Sequence, residues 1–279
     1  MRLATIRTPG GTRAVRIDGD TAVECGPVDV GELLRREGWR EAAAAADGAR
    51  HSVGTLDYAP VVPNPSKIIG VGLNYRTHIA EMGRDQPQYP TLFAKFPEVL
   101  IGAHDTLELP QESDAVDWEA ELAVVIGTRV RRVAAAAAQE AIAGYAVLND
   151  VSMRDWQFRT REWLQGKNFE ATTPFGPHLV TPDEVPADAA ISSAVDGEVM
   201  QASTISDLLF DPADLVAYIS TVITLNPGDV IATGTTGGVG HARTPQRYLQ
   251  PGQTLVTTIE GVGRMVTPVR AAQRTERAA

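Results

Sequence analysis

The chain has 279 residues, 43% of them hydrophobic, which is enough to bury a substantial core and excludes an intrinsically disordered protein. A formal net charge of −10, with no Lys/Arg stripe to offset it, argues against nucleic acid as a partner. Cys25 is the single cysteine, which excludes intrachain disulfides and any cysteine-rich zinc site.

The opening Met1-Arg2-Leu3-Ala4-Thr5-Ile6-Arg7 lacks the apolar core of a signal peptide. No run approaches the ~18 apolar residues of a membrane helix. A soluble, cytoplasmic protein with no membrane association is therefore expected. Residues 1–62 read as a small leading module. Short strands at Leu3–Ile6 and Ala14–Ile17 flank Gly10-Gly11, Asp18-Gly19-Asp20 makes a further turn, and a helix is predicted over 31–49. Nothing in this module points to chemistry.

Pro60, Pro63 and Pro65 form a connector into a main domain expected over 63–270. Lys67–Gly72 reads as a buried strand that feeds a short helix closed by Gly83. On that helix His78 and Glu81 lie three apart and share a face. A carboxylate beside an imidazole fixes its tautomer and raises its basicity, which suits the pair to taking a proton from water. An ordinary surface pair is the plainer alternative. The polar stretch 84–90 suits a segment that orders over a ligand, or a plain loop.

Thr91–Phe96 reads as a strand, and a loop through Gly102–Asp105 follows it. Next comes Asp117-Trp118-Glu119-Ala120-Glu121, running into Leu122–Gly127. In one extended strand Asp117, Glu119 and Glu121 share a face, while Trp118, Ala120 and Leu122 line the other. Three carboxylates at the rim of a buried sheet are costly unless a cation neutralises them. Oxygen ligands of this kind suit Mg²⁺, Mn²⁺ or Ca²⁺ rather than zinc. A solvated acidic strand face is the alternative.

A helix is predicted over 133–143. The strand 144–150 then ends on Asp150, a further carboxylate that could complete a ligand set with Glu119 and Glu121. Arg154 and Gln157 face one direction if their segment turns helically, and Lys167 follows Gly166 in a stretch rich in glycine and proline. Asp196-Gly197 marks a hairpin turn. Asp211-Pro212 opens an amphipathic helix, which ends at Asn226–Asp229. The strand from Val230 delivers Gly234-Thr235-Thr236-Gly237-Gly238-Val239-Gly240. This loop lacks the Lys-Ser/Thr ending of a phosphate-cradling loop and has no helix after it. It can instead aim backbone N–H groups and a Thr hydroxyl at a carboxylate, with a tight turn under the next strand as the plainer alternative. Strands at 254–259 and 264–269 close the domain, and 271–279 reads as a polar tail.

These motifs, taken in order, resemble the fumarylacetoacetate hydrolase family across residues 65–270. The match rests on Val71-Gly72-Leu73-Asn74-Tyr75 with His78, Asp117-x-Glu119-x-Glu121-Leu122, and Asn149-Asp150-Val151-Ser152-x-Arg154-Asp155-x-Gln157. Gly166-Lys167, Pro174-x-Gly176-Pro177 and Pro227-Gly228-Asp229-Val230-Ile231-x-Thr233-Gly234-Thr235 complete the series. The resemblance implies an α+β fold, a mixed β-sheet roll or barrel with flanking helices, and a small N-terminal α/β module. It also implies a homodimer and a Mg²⁺ or Mn²⁺ ion held by Glu119, Glu121 and Asp150. His78 and Glu81 match the family's water-activating pair, whereas Arg154, Gln157, Lys167 and Thr235 match substrate-holding positions. The chain departs from the pattern at Thr236, where many relatives have proline, and at Thr267, where asparagine is frequent.

This residue set suits cleavage of a C–C bond beside a 1,3-dicarbonyl, as in an acylpyruvate or fumarylpyruvate. His78 would activate the water, and Lys167 with Gln157 would stabilise the developing oxyanion. Oxaloacetate decarboxylation, and hydration or isomerisation of unsaturated 2-oxo acids in aromatic catabolism, are the alternative outcomes. A ligand-binding or biosynthetic scaffold is the alternative from outside enzymology.

Overall fold

The computed structural model describes residues 1–273. Of the tail expected over 271–279, Ala271 closes the last strand, and 274–279 lie outside the described residues.

Two central strands explain the architecture. Ala120–Ile126 and Ile142–Asn149 are buried at every position, so both faces of the sheet are covered. Side chains alternate accordingly: Leu122, Val124 and Ile126 enter one apolar core, whereas Ala123 and Val125 enter a second core on the opposite face. From edge to edge the main sheet runs Arg50–Ser52, Thr21–Glu24, Gly11–Asp18, Arg2–Thr8, Thr173–Val180, Ile142–Asn149, Ala120–Ile126, Val230–Thr235, Ile68–Gly72 and Thr91–Lys95. A second sheet orders Glu198–Thr204, Ala190–Val195, Thr254–Ile259, Gly263–Ala271 and Leu107–Leu109. The result is the expected mixed-sheet α+β architecture.

The leading strands do not form a sheet of their own. Arg2–Thr8 pairs antiparallel with Thr173–Val180, Arg2 opposite Val180, so the leading segment extends the main sheet.

Local signals mostly hold. Asp196 and Gly197 both take positive φ, 51° and 84°, as the hairpin turn requires. Asp211 accepts from Asp214 N at 2.8 Å and caps the helix Pro212–Val222. Three expectations are corrected. The helix over 31–49 is two short helices, Val30–Leu34 and Trp39–Ala44, interrupted at Gly38 in the left-handed region (φ 66°). The helix over 133–143 shrinks to Ala135–Ala138 and a single 3₁₀ turn. Ile142 and Ala143 belong to the central strand, where burial overrides the helix propensity of alanine.

The third correction bears on function. The acidic strand is broken. Val116–Asp117 pairs with Ser152–Met153, and Ala120–Ile126 starts anew in the main sheet. Asp117 therefore leaves the face it was expected to share with Glu119 and Glu121. Among the described residues no helix is long and apolar enough to cross a membrane.

Candidate active site

The register of three neighbouring strands assembles the site. Ala120 lies opposite Asn149 and Glu121 opposite Thr235, so the start of one strand and the ends of its two neighbours meet at one rim of the sheet. Asp150 follows directly, and its N–H donates to Glu119 O at 2.9 Å. Glu119 N in turn donates to Asn149 Oδ1 at 3.0 Å. These links bring Glu119, Glu121 and Asp150 together, with one carboxylate oxygen from each lying within 4.8 Å of the others. All three are buried.

Buried cations balance this charge incompletely. Lys167 Nζ donates to Glu119 Oε2 at 2.6 Å and to Asp150 Oδ2 at 2.9 Å. Lys95 Nζ donates to Asp150 Oδ1 at 2.7 Å and also to the Lys167 carbonyl. Arg154 pairs with Asp117 through Nε at 2.8 Å and with Glu119 through Nη1 at 2.7 Å. Four carboxylates thus face three cations, and Glu121 is the one left without a cationic partner among the described residues. Among the described residues it accepts only Gly234 N–H, at 2.9 Å.

The titration behaviour follows from that imbalance. Burial, then the charges of Asp150 and Glu119, push the Glu121 carboxyl well above the ordinary glutamate range. Burial also opposes ionisation of Glu119 and Asp150, but Lys167 with Arg154, and Lys167 with Lys95, outweigh it and hold both below their ordinary values. For Lys95 burial wins over Asp150 and lowers its pKa. A divalent cation fits here: the donors are hard oxygens, the ligand atoms converge, and one buried carboxylate lacks its counter-charge.

The glycine loop does aim its N–H groups at carboxylates, but they are the protein's own. Gly234 N serves Glu121, and Gly238 N donates to Glu81 Oε1 at 2.9 Å. Gly240 N and His241 N donate to the two oxygens of Asp117 at 2.7 and 3.0 Å. Gly238 takes φ +102°, and a Cβ there would meet Met200 O at 2.1 Å, so no other residue fits.

Glu81 uses its other oxygen on His78, Oε2 to Nδ1 at 3.1 Å, so the pair expected from their spacing is formed. Burial opposes the Glu81 charge, but His78 and Gly238 N–H together hold its pKa below the ordinary value.

His78, Glu119, Arg154, Gln157, Lys167 and Thr235 all line one cleft. Gly166 makes this possible for Lys167, because a Cβ at that position would fall 2.5 Å from Gln157 N and hold the helical turns Arg154–Gln157 and Leu164–Lys167 apart. Arg154 Nη1 donates to Gln157 Oε1 at 2.8 Å, while its Nη2 is buried with no hydrogen-bond partner among the described residues. The Thr235 hydroxyl is already engaged, donating to Ala120 O at 3.0 Å and accepting from Gln201 Nε2 at 2.7 Å. Lys167, expected to reach a substrate oxygen, spends its first two bonds on Glu119 and Asp150.

Sequence reasoning missed Lys95, a buried lysine at the end of a strand. It also missed Gln201, which accepts from Ala120 N and donates to Thr235 Oγ1 and Thr236 O. Neither carries a local signal, since their partners are remote in sequence.

Residues 67–270 match the family model described as fumarylacetoacetate (FAA) hydrolase C-terminal. The chain belongs to the fumarylacetoacetate hydrolase family. A mitochondrial oxaloacetate tautomerase, Fahd2a of Rattus norvegicus, is 42% identical over 214 residues, covering 76% of this chain and 68% of its own. A putative HpcE protein from Mycobacterium smegmatis superposes with a TM-score of 0.89 at 36% identity, covering 98% of this chain and all of its own. Maleylpyruvate hydrolase from Sphingobium sp. SYK-6, solved with manganese(II) and pyruvate, gives a TM-score of 0.81 at 30% identity over 98% of this chain and 100% of its own. This member of the family therefore shares its fold with enzymes of several activities, one of them holding a divalent metal.

Proposed function

We propose that the chain is a Mg²⁺- or Mn²⁺-dependent hydrolase that cleaves the C–C bond of a 1,3-dicarbonyl 2-oxo acid of the acylpyruvate or fumarylpyruvate type. The observation that carries this reading is one cleft lined both by a carboxylate of the Glu119–Glu121–Asp150 cluster and by the His78 imidazole that Glu81 orients. A divalent ion held by the three carboxylates would supply Lewis-acid and template chemistry for the vicinal oxygens of a 2-oxo acid.

The protein's own groups do the rest. Glu81 on Nδ1 leaves the other ring nitrogen of His78 as the base that takes a proton from water and later returns it. Arg154 Nη2, buried and without a hydrogen-bond partner among the described residues, donates to the substrate's carboxylate. Gln157, held by Arg154 Nη1, and the remaining N–H of Lys167 steady negative charge as it develops on the dicarbonyl oxygens. Cleavage then releases a pyruvate half and a carboxylic acid, consuming one water.

The 42% identity to an oxaloacetate tautomerase favours a second reading. There the His78–Glu81 pair moves a proton between carbon and oxygen, and no bond to carbon is hydrolysed. Product analysis separates the two. Acetylpyruvate, fumarylpyruvate and oxaloacetate are each incubated with and without Mg²⁺ or Mn²⁺. Metal-dependent release of pyruvate plus acetate or fumarate supports hydrolysis, whereas keto–enol exchange without cleavage supports tautomerisation. Absence of both means that the site is not an enzyme of this kind. The reading includes a homodimer, which sedimentation would test.

A further inference from the structure

The cleft has a floor and a rim, and the rim is charged in a way the chemistry above does not use. Arg154 and Lys167 form the floor and are buried, and both pair with Glu119, the one carboxylate that lines the cleft among the described residues. Arg84 also lines the cleft but is exposed, and among the described residues its side chain makes no hydrogen bond or ion pair. Arg154 and Lys167 are matched by the buried acids beneath them, so Arg84 is the cleft-lining cation that no carboxylate neutralises among the described residues.

His241 lines the same cleft and is held in a defined position. Its backbone N–H is fixed by Asp117 Oδ2 at 3.0 Å, and its ring lies against Phe158 with centroids 5.0 Å apart. Gln246 Nε2 reaches both His241 Nδ1 and His241 O at 3.2 Å, and Tyr248 Oη lies 3.0 Å from Nδ1. Tyr248 Oη also donates to Gln246 Oε1 at 2.9 Å, so Nδ1 sits in a closed network with these two side chains. Gln246 and Tyr248, which engage Nδ1, do not line the cleft, and Nε2 makes no hydrogen bond among the described residues, which leaves it available to a carboxylate. Burial, and then the Arg154 charge, lower the His241 pKa. Leu73, Phe93, Trp163 and Val239 complete the wall with apolar surface suited to a carbon chain.

We infer that Arg84 and His241 are specificity-determining residues that hold a second carboxylate, at the end of the substrate remote from its 2-oxo acid group. This deepens the reading above and rests on it: Arg154 takes the first carboxylate, and the rim pair selects dicarboxylic 2-oxo acids over those ending in a methyl group.

The test measures binding rather than turnover. The Mn²⁺-loaded protein is titrated calorimetrically with 2-oxoadipate and with 2-oxohexanoate, which match in length and differ only in their distal carboxylate or methyl. The intact chain is expected to prefer 2-oxoadipate by about tenfold or more, because a site built for a charged partner rejects the analogue lacking it. Arg84→Gln and His241→Phe, the latter keeping the ring contact with Phe158, should each cut the preference to about threefold or less, with 2-oxohexanoate affinity held within about twofold. Arg84→Lys should retain most of it. Equal affinities in the intact chain, undetectable binding of both acids, or variants that weaken both acids alike would overturn the inference. A clear preference without turnover of any 2-oxo acid would instead reject the proposed reaction and leave the rim pair standing.

Discussion

Asp117 accepts a 2.8 Å hydrogen bond from Arg154 Nε while its two oxygens also take the N–H groups of Gly240 and His241. One buried carboxylate thus ties the cleft floor to the glycine loop. Removing one member of a buried ion pair strands the other, at a cost of roughly 3–5 kcal/mol. Asp117→Ala should therefore lower unfolding stability by about that amount and loosen Arg154, and Asp117→Asn should cost less because it can still accept. Urea unfolding checks this, and a loss below about 1 kcal/mol for the alanine variant would show that the bond is not structural.

Glu121 gives the metal-free protein a distinctive pH dependence. Its folded pKa is raised, so the neutral form is the one the fold favours. Its contribution is fully present below the ordinary glutamate value of 4.5 and is lost as pH rises through the raised folded value. In chelator the intact protein should lose stability on that upward path. Glu121→Gln, which cannot ionise, should show a flatter profile, and added Mn²⁺ should flatten the intact protein's. Unfolding midpoints across neutral pH provide the comparison, and parallel profiles for the two proteins would contradict the charge argument.

The dyad separates binding from chemistry. His78→Ala removes the proton carrier but no metal ligand, so turnover should fall by about 10²–10⁴ while Mn²⁺ affinity stays unchanged. Glu81→Gln keeps an acceptor for Gly238 N–H and should cost less. Pyruvate release under single-turnover conditions checks both, and a His78→Ala variant as fast as the parent would remove this residue from the mechanism.

Away from the cleft, His178 is an acid-sensitive point. Burial, and then the nearby Arg2 charge, push its pKa down to about 4, and its Nδ1 has no hydrogen-bond partner among the described residues. A depressed folded pKa means stability that is present above the ordinary histidine value of 6.5 and lost as pH falls toward about 4. The effect should reach roughly 2–3 kcal/mol. In His178→Gln the decline over this window should shrink by that amount. If the two proteins lose stability equally on acidification, His178 is not the group responsible.

The residues of the site were legible to different degrees, for physical reasons. Glu119, Glu121 and Asp150 stand out because each is an acid at the edge of an apolar run, a placement that needs a counter-charge. Counting strand parity misplaced Asp117, since it assumes an unbroken strand, and the ladder is interrupted at Trp118 and Glu119. Lys95 gave no signal because its partner Asp150 is 55 positions away. The glycine loop was readable as an N–H donor, yet only the folded chain identifies its acceptors as Glu121, Glu81 and Asp117. The alanine-rich segments misled in the opposite direction, since propensity yields to the demand of a central strand for Ile142 and Ala143.

The central claim is that three buried carboxylates hold one divalent ion. Electron paramagnetic resonance of Mn²⁺ titrated into the metal-free protein tests it most directly. We expect one saturable ion per chain, lost in Glu121→Gln and retained in His78→Ala. Saturable binding that survives unchanged in Glu121→Gln, or no saturable binding in the intact chain, would contradict the account.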